Sequence, residues 1–351
     1  MPDLSPITRL IALWATAALC GGCAALGGGG GGGENLPNRG IAPYVRVGGD
    51  DEETPLPYAL EAEEPEAVEL REPSAVVVDA QVLLYVELRE RVGGAASIAR
   101  ASSDASGTSF GPSEPVLDPA EAPEWADGRV GAPSVLRTDG GWLLAFAYGD
   151  GAGIGLARSQ DGLHFDVDPQ PALARDPATE ASVDAPSLVR FGDQLVLLYE
   201  VLGVEEGATR RIDRALADGD GVSFARAGTA LEAGTGCFGA DGAEDPCWDR
   251  AGVGSPELRV SRTATGRELL RLFYTGYSGK RGDLGFAASF DGVTWSRFAF
   301  NPVVAEKLDE RGPTNVRFGD IYLLYYVETG SGTAHGIAAA RDEAGVPSER
   351  F

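Results

Sequence analysis

Three carboxylates in this 351-residue chain stand beside prolines that open apolar runs. They are Glu72 in Arg-Glu-Pro-Ser, Asp184 in Val-Asp-Ala-Pro and Glu257 in Ser-Pro-Glu-Leu. Acid–base hydrolysis uses such a set. One carboxylic acid protonates a leaving oxygen, one carboxylate activates water, and a third raises the acid's pKa by like-charge repulsion. Glu72, Glu257 and Asp184 fill these roles in that order. The plainer reading of the same residues is solvated rim carboxylates or strand-end caps. Asp150 and Asn315 add polar groups for a ligand. Trp125, Tyr148, Tyr277 and Trp248 offer flat faces for stacking, although such residues also serve as packing.

What must position these groups is a repeat. Residues 183–200 read as a strand, a Gly-Asp turn and a more apolar strand ending in an aromatic. Copies follow at 130–146, 253–274, 312–326 and, more faintly, 72–85, each anchored by one of Pro73, Pro133, Pro186, Pro256 and Pro313. A second element trails the copies: Ser159-Gln160-Asp161-Gly162 ahead of Phe165, and Ser289-Phe290-Asp291-Gly292 ahead of Trp295, with looser versions at 103–110 and 218–224. Asp-Gly supplies the positive φ of a tight hairpin, and the aromatic packs beneath it. Each unit then holds four strands, and five units predict a five-bladed β-propeller. Its blades run over 66–122, 123–175, 176–232, 233–305 and 306–351. The last needs an outer strand from 345–351 or from the segment before Arg71, since an open ring leaves an unpaired edge. First strands line the central channel, so one face gathers the three carboxylates with the loops of Tyr148-Gly149-Asp150, Thr275-Gly276-Tyr277 and His335. The repeats provide a control. Gly131 and Gly254 stand where Asp184 stands, and Ser134 and Ser187 where Glu257 stands, so the scaffold does not demand these acids.

Charge narrows the partners. The chain has 29 Lys+Arg against 53 Asp+Glu, a formal charge of −24, which argues against nucleic acid and anionic lipid surfaces. Arg9 precedes an apolar run at 10–19, too short to span a bilayer, which ends in Cys20-Gly21-Gly22-Cys23. Small residues before a cysteine resemble a bacterial lipobox, making Cys23 the expected lipid anchor; an ordinary signal peptide with incidental cysteines is the alternative. Glycines 27–33 would serve as a tether. The expected organisation is a signal peptide at 1–23, a Gly/Pro/Glu-rich linker at 24–65 and the propeller at 66–351. The protein is then exported, periplasmic or at the cell surface, and touches the membrane only through its lipid. Export favours a Cys237–Cys247 disulfide, worth about 2–3 kcal/mol in the chain-entropy picture. Metal binding by that pair lacks the usual spacing.

The Pro-Ser-x-Val strand, the Leu-Leu-Tyr strand and the Ser-x-Asp-Gly-x-x-Trp/Phe hairpin together resemble five-bladed glycoside hydrolases, the family 43 arabinanase and xylosidase group and the related family 32 invertases. The resemblance covers about residues 66–351. It implies hydrolysis of an arabinan-, xylan- or fructan-like glycan, with an acidic base in blade one, a pKa-tuning Asp in blade three and a Glu acid in blade four. Glu72 stands where the family has Asp-Pro-Ser, and Asp184 lies one residue further from its proline than usual. The family's blade-four Glu-Gly-Pro is replaced by Gly254-Ser255-Pro256-Glu257, with the acid past the proline. In an inverting member the acid and base lie about 6.5–9.5 Å apart. The resemblance also implies that no cofactor is required, with His335 placed near a channel-bound calcium; Asp241, Glu244, Asp245 and Asp249 are a second acidic group that a calcium ion suits, or a solvated insertion. The expected partner is an oligo- or polysaccharide and the expected state a monomer. A non-catalytic sugar-binding or envelope-scaffold propeller is the competing reading.

Overall fold

Proline-led runs become first strands and aromatic-ending runs become second strands. A computed structural model describes residues 44–48, 58–126, 128–218, 221, 223–234, 248–263, 265–279, 281–298, 301–304, 309–329 and 335–342. Two short strands come first, β1 (Tyr44–Arg46) and β2 (Leu60–Glu61). The first unit is β3 (Val68–Val78), β4 (Gln81–Glu90), β5 (Ala96–Ser102) and β6 (Glu114–Leu117). The second is β7 (Val130–Thr138), β8 (Gly141–Tyr148), β9 (Gly153–Ser159) and β10 (Asp166–Val167), with β11 (Leu173–Ala174) also on β9. The third is β12 (Glu180–Phe191), β13 (Gln194–Gly203), β14 (Arg210–Asp218) and β15 (Ala225–Leu231). The fourth is β16 (Gly252–Arg262), β17 (Glu268–Tyr277), β18 (Gly282–Ser289) and β19 (Ser296–Arg297). The fifth is β20 (Asp309–Phe318), β21 (Ile321–Thr329) and β22 (His335–Asp342). Strands pair antiparallel within every unit, and one parallel pair, Arg210 with Gly252, joins units three and four. Among the described residues the helical structure is two 3₁₀ turns, Pro119–Glu121 and Glu124–Ala126.

The second strands are apolar on both faces because each is sandwiched between neighbouring units. One apolar layer joins Tyr85 of unit one to Leu144 and Phe146 of unit two; a second joins Leu143 and Leu156 to Leu195 and Tyr199 of unit three. Further layers join Leu198 to Leu272 of unit four, and Phe273 to Leu324 and Tyr326 of unit five. The last joins Leu323 and Tyr325 back to Leu84 and Val86 of unit one, so the succession closes on itself in a propeller-like, all-β arrangement.

The prolines mark a shared kink. The residue before each has a positive φ: Glu72 at 42°, Ala132 at 45°, Ala185 at 44°, Ser255 at 41° and Gly312 at 57°. At each kink the pairing register slips, as in a β-bulge. A left-handed residue is strained unless it is glycine, and the step before a proline disfavours helical angles further. Since all five units carry the kink, it belongs to the scaffold rather than to a site. Side chains just after the prolines tie the units together. The hydroxyls of Ser74, Ser134, Ser187 and Thr314 accept from the backbone N–H of Val135 (3.1 Å), Leu188 (2.9 Å), Leu258 (2.7 Å) and Ala75 (3.0 Å), each in the next unit. The Ala75 bond carries this series from unit five to unit one.

The predicted linker is not a linker throughout. Both β1 and β2 pair with β22, so the N-terminal segment supplies the outer edge of the fifth unit. Arg46 fastens it through a buried ion pair with Glu328, Nε to Oε2 at 3.2 Å, and Tyr44 accepts from Asn315 Nδ2 at 2.9 Å. Breaking a buried pair leaves a naked charge, so Arg46→Ala is expected to cost about 3–5 kcal/mol, read as a lower urea midpoint. The double variant Arg46→Met/Glu328→Leu is expected to recover much of that loss.

Candidate active site

A cleft of about 350 Å³ opens where the first strands begin. Its walls include Glu72 and Arg71 from β3, Asp184 and Ala185 from β12, Glu200 from β13, Ser255 from β16, Tyr277 from β17 and Arg311 from β20. Two of the three predicted carboxylates, Glu72 and Asp184, therefore share one cavity. Below it a constriction of only about 10 Å³ is lined by all five anchoring prolines. That is space for about one water, not a sugar.

Glu257 touches the constriction and not the cleft, contrary to the expected convergence. It is 5% exposed. Arg259 lies 2.5 Å from its Oε1, Thr314 Oγ1 donates to the same oxygen at 2.9 Å, and Ser187 Oγ is 3.5 Å from Oε2. The acid has taken the place of the hydroxyl that other units use to bond their neighbour. Burial pushes its pKa up while Arg259 pulls it back. The kink explains the displacement, because residues before the proline face the cleft and the residue after it faces the ring of hydroxyls.

Glu200 is the carboxylate that the sequence reading missed. It lies opposite Asp184 in the β12–β13 register and reaches into the next unit. Its Oε2 accepts from Ser255 N at 3.1 Å, and Arg210 Nε donates to its Oε1 at 2.6 Å. A Cβ on Gly254 would overlap this carboxylate, so the side chain fills the space that a residue two before the blade-four proline would occupy. Glu87 does the same two units earlier, reaching from unit one to accept from Ala132 N of unit two at 2.8 Å over Gly131. Thr275 repeats the bond to Gly312 N at 3.0 Å. Capping of the next unit's kinked N–H is thus a scaffold duty, which Glu200 performs with one oxygen in the cleft. An acid inside the apolar run at 195–202 was the available signal, since buried glutamate is rare without a partner.

The cleft carboxylates differ in their company. Ser255 Oγ donates to Glu72 Oε1 at 3.0 Å while Ser255 N donates to Glu200, so two acids meet on one residue. Burial pushes the Glu72 carboxyl up to about 7; Arg71 opposes this, and Glu200, Asp184 and Glu87 reinforce it. Burial also raises Glu200, with Arg210 opposing. Asp184 is gripped by Arg129, Nη1 to Oδ2 at 2.8 Å and Nη2 to Oδ1 at 3.2 Å, and caps Ala185 N at 2.8 Å. The guanidiniums of Arg210 and Arg311 each lie 5.6 Å from the ring centroid of Tyr277.

Most of the other predicted contacts fall elsewhere. Trp125 stacks on Phe146 and meets Tyr148 edge-on at 4.8 Å, so both are packing residues of unit two. Trp248 packs on Tyr274 at 5.6 Å. Asn315 is 1% exposed and donates to Tyr44 and to Leu323 O. Asp150 is an exposed loop residue 3.7 Å from Arg89, a cleft arginine. His335 begins β22, with its side chain outside the described residues. Cys23, Cys237, Cys247, Asp241, Glu244 and Asp245 also lie outside them, and Asp249 is buried against Arg297 at 3.2 Å. No three His, Cys, Asp or Glu side chains gather into a metal cage among the described residues. The constriction acid Glu257 already has a guanidinium, so calcium does not fit there.

No family model matches the chain, and no curated protein matches it. Solved structures do. A thermostable family-43 glycoside hydrolase is similar at 13% identity over 80% of this chain and 92% of its own, with a TM-score of 0.59. An endo-1,4-β-xylanase from Bacteroides thetaiotaomicron is similar at 13% identity over 78% and 90%, with a TM-score of 0.55. An α-L-arabinofuranosidase from Podospora anserina, in complex with cellotriose, is similar at 10% identity over 81% and 94%, with a TM-score of 0.53. The chain shares the overall fold of these solved glycoside hydrolases. On that fold the expected resemblance holds for the architecture, and the cleft lies where the chain's unequal side chains collect.

Proposed function

We propose that the protein is a glycosidase of the family 43 type, a five-bladed propeller whose cleft cleaves an extracellular or periplasmic oligo- or polysaccharide. The reading is carried by Ser255, which holds a half-buried and a buried carboxylate of unlike company, Glu72 and Glu200, in one cleft. Glu72, with no cation within ion-pair reach among the described residues, keeps its proton near neutral pH and donates it to the leaving oxygen. Glu200, held by Arg210, is the carboxylate that activates water. Asp184, clamped by Arg129, supplies negative charge that keeps the Glu72 proton in place. Glu257 is a channel residue in this scheme. The same proposal has the chain exported as a monomer, lipidated at Cys23, with a Cys237–Cys247 disulfide and no required cofactor.

Release of reducing sugar from arabinan, xylan, fructan or an aryl glycoside, lost in Asp184→Asn, is the expected result. No release from any of them, with glycan binding retained, would move the reading to a non-catalytic binding module; the ion pairs already held by Asp184 and Glu200 favour that second reading. The pH profile assigns the roles. A donor must be protonated, so kcat/KM is expected to fall above pH about 7 as Glu72 ionises. A fall below pH 7 instead would make Glu72 the base, as the family resemblance implies.

A further inference from the structure

The cleft wall is far more basic than the rest of the chain. Arg71, Arg89, Arg129, Arg210, Arg281 and Arg311 line it, against Glu72, Asp184 and Glu200. Six of the chain's 29 Lys+Arg thus converge on one cavity in a molecule of formal charge −24. Five of the six have acid partners: Arg89 is 3.8 Å from Glu87, Arg129 is held by Glu87 and Asp184, Arg210 by Glu200, Arg281 by Asp283 at 3.3 Å and Arg311 by Asp309 at 2.7 Å. Among the described residues the Arg71 guanidinium makes neither a hydrogen bond nor an ion pair. It is half-buried, and it acts on Glu72 through its field alone.

The repeat again supplies a control. Two residues before the prolines stand Arg71, Gly131, Asp184, Gly254 and Arg311. The kink tolerates glycine or aspartate there, so arginine is not a structural demand. The two arginines occupy units five and one, which adjoin each other, and both reach the cleft beside Glu72. A planar guanidinium left without an acceptor in a partly buried cleft suits a planar anion.

We infer that the cleft recognises a sugar bearing a carboxylate, a uronic acid, with Arg71 as its principal contact and Arg311 beside it. The inference rests on the glycan-site reading and adds the substrate class to it. A neutral pentose or fructose chain would leave Arg71 desolvated without a partner, which costs binding energy.

Isothermal titration of the full chain at low salt with galacturonate and glucuronate, against galactose and glucose, tests it. Uronates are expected to bind at least about tenfold more tightly than their neutral counterparts. Arg71→Gln is expected to erase that difference, and Arg71→Lys to keep part of it. Arg71 has no ion pair to break, and an unchanged melting curve confirms that each variant folds. Equal binding of neutral sugars, or neutral glycan bound or cleaved without any uronate binding, overturns the uronate inference and leaves the glycosidase reading standing. Galactose 6-sulfate binding as tightly as galacturonate would assign the anion as a sulfate ester and overturn the carboxylate. Failure of every sugar to bind removes both readings together.

Discussion

Glu72→Gln is expected to lower turnover on the cleaved glycan by about 10²–10⁴-fold and, at the same time, to make the folded protein more stable at pH 8. The two effects share one cause. Glu72 is half-buried in the cleft, and desolvation of its carboxyl pushes its pKa up from 4.5 to about 7, with Glu200, Asp184 and Glu87 adding to it. A carboxyl raised in the folded state destabilises that state wherever the unfolded chain has already ionised. Between about pH 4.5 and pH 7 the folded protein holds a proton that the unfolded chain has lost, so stability falls as pH rises through this window and levels off above it. The full difference is at most roughly 3 kcal/mol. Gln keeps the shape and can still accept from Ser255 Oγ, but it cannot ionise. The variant should therefore gain most in urea midpoint at pH 8 and almost nothing at pH 4, while its activity is lost at both. Equal midpoints for the two proteins at pH 8 would show that the Glu72 carboxyl is freely hydrated and not the poised group proposed. Such a trade of stability for function is common where a site holds an unfavourable group in place.

How far the sequence could be read depended on whether a residue served the repeat or departed from it. The proline-led and aromatic-ending strands were legible because every unit needs a kinked inner strand and a second strand apolar on both faces. Ser-x-Asp-Gly was legible for a local reason: Ser159 Oγ accepts from Gly162 N at 2.9 Å, and Asp161 Oδ1 from Leu163 N at 2.8 Å and His164 N at 2.9 Å, so the turn is written in adjacent residues. The strands β1 and β2 were legible only as a need. The fifth unit required an outer strand from 345–351 or from the segment before Arg71, and the second source supplies it. Where those strands lie was not written in the sequence. They are three and two residues long in a Glu/Pro/Gly-rich stretch, too short for any period, and the Glu328 that holds Arg46 lies at the other end of the chain. Glu72 and Asp184 could be placed because the residues before a proline share the cleft side. Glu257 was misplaced by one turn of the same logic, since crossing the kink moves a side chain from the cleft to the ring of hydroxyls. Glu200 was hidden because it acts on a unit other than its own, and only the missing Cβ of Gly254 announces where it goes.

That hidden exchange predicts a transplant. Glu200→Ala is expected to reduce turnover by about 10²–10⁴-fold, because the carboxylate proposed to activate water is gone. It also leaves Ser255 N uncapped and Arg210 without its acid, so some stability is lost with the activity. The vacated space lies directly over Gly254, whose added Cβ would stand against the former Glu200 carboxylate. Gly254 does not have the positive φ of its neighbour Ser255, so a side chain there meets no backbone strain. Glu200→Ala/Gly254→Asp therefore brings a carboxylate to nearly the same point from β16 in place of β13. The double variant is expected to regain at least about tenfold in turnover over Glu200→Ala. Gly254→Asp alone sets two carboxylates in one space and should be worse than the native protein. Mutations in contact that restore each other in this way are strongly coupled, and the sign of the coupling is the test. A double variant that folds, recovers stability through Arg210 and Ser255, yet turns over no faster than Glu200→Ala would leave Glu200 as a cap of the kinked strand and nothing more.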